Sequence, residues 1–419
     1  MLNAISNAFR VPELRRKILF TLAMIALYRL GAHIPVPGVS ISVVQEAIKN
    51  SPALGLLGLF SGGALEKFAV LSLGIMPYIT SSIIMQLLQG VIPKVEQWAK
   101  EGESGQRRIT QITRYMTLGI ALLQSVAMLG VFQSAITSSP QAPPRLVTNV
   151  IIVITLIAGT AFIMWMGELI TQRGIGNGMS LLIFASIVSR FPQAIVQSAT
   201  LTSNGIFTIL LLAMTGFIVA AIVTMERGQR RIPVQYAKRV VGRRVYGGAG
   251  TYIPLKINGA NVVPIIFASA ILFFPSQIAA LSGIGWLTTV GNAIAKGPVN
   301  WVLEFVLIVF FTYFYTALVF NPMDLSDNLR KNGGFIPGVR PGSATTRYIE
   351  NVLNRITLPG AFFLGAIAVV PSMLFSATND PLISAFGGTS ILIMVGVALE
   401  TMTQLESQLK MRHYDGFFK

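Results

Sequence analysis

Charged side chains within long apolar segments are the first candidates for chemistry in this sequence. Five ionisable residues fall inside such segments or at their edges: Arg29, Glu66, Lys67, Glu168 and Glu304. Within a membrane, residues of this kind commonly serve as proton relays or ion sites. Nothing in their placement resembles a relay, and the sequence has no Walker motif, paired carboxylates or Ser-His-Asp set. These observations argue against an enzyme and against a transporter coupled to protons or sodium.

Cysteine and histidine offer no further chemistry. The chain has no cysteine, which excludes disulfides and thiolate catalysis, and its two histidines are His33 and His413. We therefore predict no catalytic residue, no metal site and no cofactor.

The most informative segment runs from Phe60 to Leu88, where charges and glycines interrupt an apolar stretch. We interpret Leu65–Leu73 as a short half-helix entering from the outer side, followed by a full helix from about Ile75. Such a broken backbone is tolerated at membrane depth only inside protein or along a water-filled cavity. The segment therefore lines a functional path or fills space as a re-entrant element. In the next helix, Ile75 and Ile79 share one face, which by itself favours packing or lipid contact.

Composition indicates the class of protein that must position these residues. Of 419 residues, 53% are hydrophobic and 11% are charged, and the formal net charge is +16. Soluble domains have about 25% charged residues, and disordered chains are poor in apolar residues. Both classes are excluded, so we predict an all-α polytopic membrane protein.

Ten apolar segments are long enough to cross a bilayer as helices. Their approximate bounds are 18–34, 75–92, 113–132, 150–167, 179–196, 206–225, 261–281, 301–320, 356–375 and 390–403. With the amino terminus in the cytoplasm, 26 of the 32 lysines and arginines fall in cytoplasmic segments and four in outer loops. Basic residues favour the cytoplasmic side, so this bias supports ten transmembrane helices with both termini in the cytoplasm.

Ten spans divide into two groups of five, which we assign to residues 1–204 and 205–419. Because five is odd, the second group enters the membrane from the opposite side. Inverted repeats have this arrangement and place a functional path at their interface. The first half holds the broken segment, at about 60–73, and the second holds two long loops, 227–260 and 321–355.

The two long loops are basic and together carry 13 lysines and arginines. Alternating patterns at Ile232–Tyr236 and Tyr252–Ile257 predict a protruding β-hairpin. The basic residues predicted near its tip are Lys238, Arg239, Arg243 and Arg244. In the other loop, Arg340 stands between two proline-glycine turns. Long basic loops favour a docking surface for an acidic or RNA-bearing partner, although the charge could also serve topology alone.

Several segments resemble the SecY family, the channel subunits of the bacterial Sec preprotein translocase. They are IPVPG (34–38), FSGGAL (60–65), LGIMPYI (73–79), ERGQRRIPVQYAKR (226–239), GRRVYGG (242–248), IPLKIN (253–258), IFAS (266–269), the NP-x-D run (321–330), PGVRPG (337–342) and GGTS (387–390). The resemblance covers essentially the whole chain, and runs this numerous are highly specific.

The resemblance implies two inverted five-helix halves around a central hourglass pore. A plug would seal the outer funnel, and its residues would be Phe60, Ser61, Gly62, Gly63, Ala64, Leu65, Glu66, Lys67 and Phe68. An apolar ring would close the waist, at Ile75, Ile79, Met179, Ile183, Ile266 and Ile393 by motif position. Met179 stands where we expect a branched residue. A lateral gate would lie between span 2 or 3 and span 7 or 8, with Thr80, Gln124 and Phe274 as its candidate residues.

The resemblance also implies a function and partners. Unfolded preproteins would cross through the pore, and signal sequences and other hydrophobic segments would leave sideways into membrane lipids. The SecA ATPase or a translating ribosome with its RNA would dock on Lys238, Arg239, Arg243, Arg244 and Arg340. The small subunits SecE and SecG and a place in the bacterial plasma membrane are implied as well.

Two competing hypotheses make different demands on the sequence. A secondary transporter with inverted repeats would need a small-molecule site at mid-membrane. An insertase similar to YidC, without a pore, is disfavoured by the span count and by the plug.

Overall fold

The protein is described by a computed structural model. It describes residues 9, 11–50, 58, 61–136, 144–201, 205–236, 239–241, 244–246, 251–282, 289–291, 294, 297–378 and 387–415.

Helices predominate in this part of the chain. In the first half they are α1 (Pro12–Gly31), α2 (Ile41–Asn50), α3 (Met76–Val91), α4 (Pro93–Lys100), α5 (Glu103–Val131), α6 (Arg145–Arg173), α7 (Gly178–Val188) and α8 (Phe191–Leu201). Short 3-10 turns lie at Leu65–Lys67 and Gln133–Ala135.

The second half combines helices with short strands. Its elements are α9 (Gly205–Arg227), β1 (Gln229–Tyr236), β2 (Arg239–Val241), β3 (Arg244–Tyr246), β4 (Thr251–Lys256), α10 (Val263–Ser282), α11 (Pro298–Val319), α12 (Pro322–Lys331), β5 (Gly334–Phe335), α13 (Ser343–Thr378) and α14 (Gly388–Asp415).

Helices lie at all ten predicted spans, and the polytopic all-α fold is confirmed. Among the described residues, seven helical stretches are long and apolar enough to cross a membrane. The other three predicted spans are occupied by α1, α10 and the 16-residue α3. Several helix bounds differ from the predicted spans; α5 begins at Glu103 rather than at residue 113, and α14 ends at Asp415 rather than at residue 403. A turn at 189–190 divides the fifth span into α7 and α8, and α13 begins at Ser343, well before residue 356.

Local signals determine where several helices begin. Proline occupies one of the first two positions of α1, α3, α4, α11 and α12, where its missing N–H would have had no helical partner. At α7 the cap is a side chain. The carboxamide oxygen of Asn177 accepts hydrogen bonds from the backbone N–H groups of Met179 and Ser180, at 3.1 and 3.4 Å. This cap fixes the first turn of α7.

One hydrophobic cluster fills the helical bundle and draws side chains from α1, α3, α5, α6, α7, α9, α10, α11, α13 and α14. The outer faces of the bundle are apolar as well. Leu123 of α5 is 71% exposed and Phe217 of α9 is 74% exposed. Large apolar side chains on both the inside and the outside are expected when lipid surrounds a protein, because lipid does not oppose their exposure.

The first long loop forms the predicted hairpin. β1 and β4 pair in antiparallel fashion, with Ile232 opposite Ile253, and β2 and β3 pair as a two-stranded ribbon further along the loop. The second long loop contributes β5, which pairs with the other edge of β1 and brings Phe335 opposite Gln235.

A second hydrophobic cluster lies beneath this sheet. Its buried members include Ile232 and Leu255 from the strands, Leu329 from α12 and Ile349 from α13. The two basic loops therefore form one structural unit, a connection that the sequence did not predict.

The plug segment (residues 60–73) differs from the predicted half-helix. It forms one 3-10 turn at Leu65–Lys67 followed by further turns, so the prediction of a half-helix over Leu65–Leu73 is wrong. The φ angles are +62° at Gly62 and +42° at Phe68, and a right-handed helix cannot continue through such angles. The segment lies inside the bundle, as predicted, because Leu65 and Phe68 are fully buried.

Candidate functional site

The six residues predicted for the pore ring come from four helices and share one hydrophobic cluster. Ile75 and Ile79 stand at the start of α3, and Met179 and Ile183 stand one turn apart in α7. Ile266 lies in α10 and Ile393 in α14. Five of the six are buried members of the cluster, and Ile266 is half-buried against it. The six candidates are all apolar, and an apolar constriction of this kind can exclude water and ions.

Met179 occupies its position because two glycines let α6 and α7 approach closely. A Cβ added to Gly178 would lie 1.9 Å from the carbonyl oxygen of Gly167, so only glycine fits at position 178 with this backbone. A Cβ added to Gly167 would lie 2.4 Å from the Met179 sulfur. The unbranched thioether therefore lies along the surface left open by Gly167, where it fills an irregular gap.

The plug segment packs into the same cluster as the ring candidates. Phe60 lies outside the described residues. Ser61, Gly62, Ala64, Leu65 and Phe68 are buried, whereas Gly63, Glu66 and Lys67 are half-buried. The Ser61 hydroxyl donates to the carbonyl oxygen of Gly58 at 3.1 Å and accepts from the Leu65 N–H at 3.2 Å. The plug and the predicted ring are thus parts of one apolar body.

Backbone hydrogen bonds hold the end of the plug turn. The Val36 N–H donates to the Phe68 carbonyl oxygen, and the Val70 N–H donates to the Ile34 carbonyl oxygen, both at 2.9 Å. The Phe68 ring meets the Phe132 ring edge to face, with centroids 5.4 Å apart. These contacts tie the plug segment to the chain after α1 and to the end of α5.

Two arginines contact the plug segment with their guanidinium groups. Arg29, near the end of α1, donates from Nη1 to the carbonyl oxygen of Gly62 at 2.9 Å. Arg190, in the turn between α7 and α8, donates from Nη2 to Glu66 Oε1 at 2.7 Å. From the sequence, Arg29 could either extend to the membrane surface or have a functional role, and nothing in the sequence distinguished Arg190. The usable signal was Glu66 itself, since a carboxylate at membrane depth requires a cation nearby.

The other two intramembrane carboxylates lie apart from the plug. Glu168 of α6 accepts two hydrogen bonds from the Arg114 guanidinium of α5, at 2.7 and 2.6 Å. This bidentate pair joins two neighbouring helices. Glu304 is buried within α11.

The helices predicted to form the lateral gate are in contact. α10 packs against both α3 and α5. Thr80 of α3 and Gln124 of α5 are buried. Phe274 lies in α10, and its side chain is outside the part of the structure that is described.

Three of the five predicted docking residues, Arg239, Arg244 and Arg340, fall within the described parts of the two long loops. Arg340 is exposed, and its carbonyl oxygen accepts a hydrogen bond from the Thr345 hydroxyl at 2.9 Å. Arg239 and Arg244 form part of the β2–β3 ribbon through their backbones. Lys238 and Arg243 lie outside the described residues. Further exposed arginines that the sequence analysis did not single out include Arg231, whose guanidinium lies 4.8 Å from the centre of the Tyr252 ring.

Comparisons with known proteins identify relatives of this chain. A model of the SecY family matches residues 69–402. The chain is 49% identical over 437 residues to the protein translocase subunit SecY of Streptomyces galbus. It is 47% identical over 444 residues to that of Mycobacterium bovis, and each alignment covers 100% of both proteins.

Solved structures show the same fold. The chain is similar to a structure described as that of a protein conducting channel, with a TM-score of 0.67, 16% identity and coverage of 96% of both chains. It is also similar to Sec61 in the canine ribosome-channel complex from the endoplasmic reticulum, with a TM-score of 0.62, 16% identity and the same coverage. Because the family model and the full-length relatives agree with this fold, the protein belongs to the SecY family of protein-conducting channels, multi-pass proteins of the bacterial plasma membrane.

Proposed function

We propose that unfolded preproteins cross the membrane between residues 1–204 and 205–419, through a waist lined by the six ring candidates. The observation that carries this proposal is the shared cluster of ring candidates and plug segment, which the structure builds from apolar side chains. A narrow apolar waist dewets and blocks ions. It also forms no lasting hydrogen bonds with a passing chain, so it accepts any sequence.

The seam between α10 and the pair α3 and α5 is the proposed lateral gate. Opening this seam would expose a segment inside the channel to lipid. Burial of apolar surface contributes about 25 cal/mol per Å², so a signal sequence or membrane helix would partition outward. Thr80, Gln124 and Phe274 remain the candidate gate residues. Thr80 and Gln124 are buried, and α10 packs against the two helices that carry them.

The unit formed by the two long loops is the proposed docking surface. We place it in the cytoplasm with both termini, because 26 of the 32 basic residues fall on that side. The partners we propose are the SecA ATPase and a translating ribosome with its RNA, and SecE and SecG as small subunits. One similar structure is described as a ribosome-channel complex. We propose that the chain itself catalyses no reaction and that these partners supply the energy.

Cross-linking tests the path of the preprotein directly. A photoreactive amino acid at Ile79 should cross-link a preprotein stalled in proteoliposomes that contain the complex and SecA. The same amino acid at Leu123, which is 71% exposed on the outer face of α5, should react with lipid instead. Equal cross-linking at the two positions, or none at Ile79, would contradict the proposed path.

A further inference from the structure

The plug segment is held by polar contacts at two points as well as by apolar packing. Arg29 reaches the Gly62 carbonyl oxygen at 2.9 Å, and Arg190 reaches the Glu66 carboxylate at 2.7 Å. These contacts lie on either side of the start of the 3-10 turn at Leu65–Lys67. Together they fix both the position of the turn and its rotation.

Both arginines project from one wall, formed by the end of α1 and the end of α7, which a buried hydrogen bond joins. The hydroxyl groups of Tyr28 and Ser186 form a buried hydrogen bond, with their oxygens 2.6 Å apart. Tyr28 immediately precedes Arg29 in the sequence, and Ser186 lies four residues before Arg190. Gly62 presses directly on this wall. A Cβ added to Gly62 would lie 2.9 Å from the Ser186 Cα.

The Glu66–Arg190 pair is partly shielded from water. The Arg190 side chain is 21% exposed and the Glu66 side chain is 44% exposed. The Nε of Arg190 is buried and has no hydrogen-bond partner among the described residues. Glu66 is therefore the group seen to compensate the Arg190 charge, and a departing plug would leave that charge for water to solvate.

We propose that Arg29, Gly62, Glu66 and Arg190 form a plug latch that positions the closed plug and sets the threshold for its release. The latch rests on the proposed channel function, in which this segment seals the outer funnel at rest, as the family resemblance implies. Apolar packing is non-directional, whereas an ion pair and a hydrogen bond select one orientation of the turn. Because both charges regain water when the plug leaves, the latch adds a modest barrier that an entering chain can overcome.

Resting ion flux tests the latch in proteoliposomes that contain the assembled complex. Arg190→Gln and Glu66→Gln should each raise the flux about tenfold, which corresponds to about 1.4 kcal/mol. The double variant Glu66→Arg with Arg190→Glu restores an ion pair and should return the flux towards the original value. The matched control is Arg114→Gln, which breaks the bidentate pair with Glu168 in the same half without touching the plug.

The outcomes are distinct. If the Glu66 and Arg190 variants conduct no more than the original protein or than Arg114→Gln, or if the charge exchange leaks as much as the single variants, the latch is wrong.

A cysteine pair separates failure of the latch from failure of the plug. The chain has no cysteine of its own, and a Cβ at position 62 would lie 3.0 Å from the Ser186 Cβ. The two backbones must therefore separate by about 0.5 Å or more to reach the roughly 3.5–4.5 Å between the Cβ atoms of a disulfide. Oxidation of Gly62→Cys with Ser186→Cys should block preprotein transport, and reduction should restore it. If the disulfide blocks transport but the Glu66 and Arg190 variants show no increase in ion flux, the latch is wrong and the plug function stands. Normal transport through the verified disulfide would overturn the plug proposal itself.

Discussion

Replacing Phe68 with alanine should open the resting channel by removing an apolar anchor of the plug segment. Phe68 is 1% exposed, and its ring meets Phe132 edge to face at 5.4 Å and 78°. Truncation of a buried phenylalanine typically costs about 3–5 kcal/mol, a total that includes such ring contacts. Alanine keeps the Cβ, so the backbone strain at φ +42° is unchanged and the effect belongs to the ring.

The lost packing free energy shifts the equilibrium between the seated plug and the displaced plug. If displacement transfers the ring to water, the closed state loses at least about 3 kcal/mol, or about a hundredfold in population. Ion flux into proteoliposomes with no preprotein present should rise accordingly, up to the limit set by a fully open pore.

A second aromatic pair supplies the control. Phe311 of α11 is 4% exposed and meets Phe267 edge to face at 5.5 Å and 78°, and neither ring belongs to the plug segment. Phe311→Ala should lower thermal stability to a similar extent without a comparable rise in flux. Equal flux in the two variants, or unchanged flux in Phe68→Ala with reduced stability, would refute the reasoning, because Phe68 would then stabilise the bundle rather than the seated plug.

Two further predictions, each with a control substitution, concern the loops and the packing around the plug. Arg340→Glu should abolish transport driven by SecA and leave expression and thermal stability unchanged, while Arg340→Lys should retain transport; normal transport in the Glu variant would refute the docking role. Gly159→Ala places a Cβ 2.0 Å from the Val70 carbonyl oxygen and should destabilise the protein by about 1–3 kcal/mol in thermal unfolding. Gly119→Ala, whose Cβ meets nothing within 4 Å, should be neutral or stabilising by about 0.5–1 kcal/mol, and a larger loss here than at Gly159 would contradict the packing account.

The broken segment shows where sequence reasoning succeeded and where it stopped. Its burial inside the bundle was predicted correctly, because glycines and charges at Gly62 and Glu66 cannot face lipid. Its conformation was predicted wrongly. Phe68 adopts a left-handed φ of +42°, which is rare for a bulky side chain, and its carbonyl oxygen bonds to Val36 instead of continuing a helix. That angle accompanies an isolated antiparallel bridge between Pro35 and Ala69, which no local pattern indicates.

The unit formed by the two long loops was also predicted only in part. The alternation of Ile232–Tyr236 predicted β1, and the pairing with β4 is confirmed. The addition of β5 was missed, since it is only two residues long and its partner lies about a hundred positions earlier in the chain. Such pairing depends on long-range contacts rather than on periodicity.

The sequence alone determined the membrane class, the places of ten helices and the resemblance to a protein channel, because partition into lipid acts on apolar runs and on the sign of the flanking charge. The tertiary structure decided which charges meet. Glu66 and Arg190 are 124 positions apart, and only the fold brings the plug segment against the turn after α7, where the Arg190 guanidinium lies 2.7 Å from the Glu66 carboxylate. An ion pair forms where two backbones place opposite charges at one depth, and that distance is a property of the fold rather than of either local sequence.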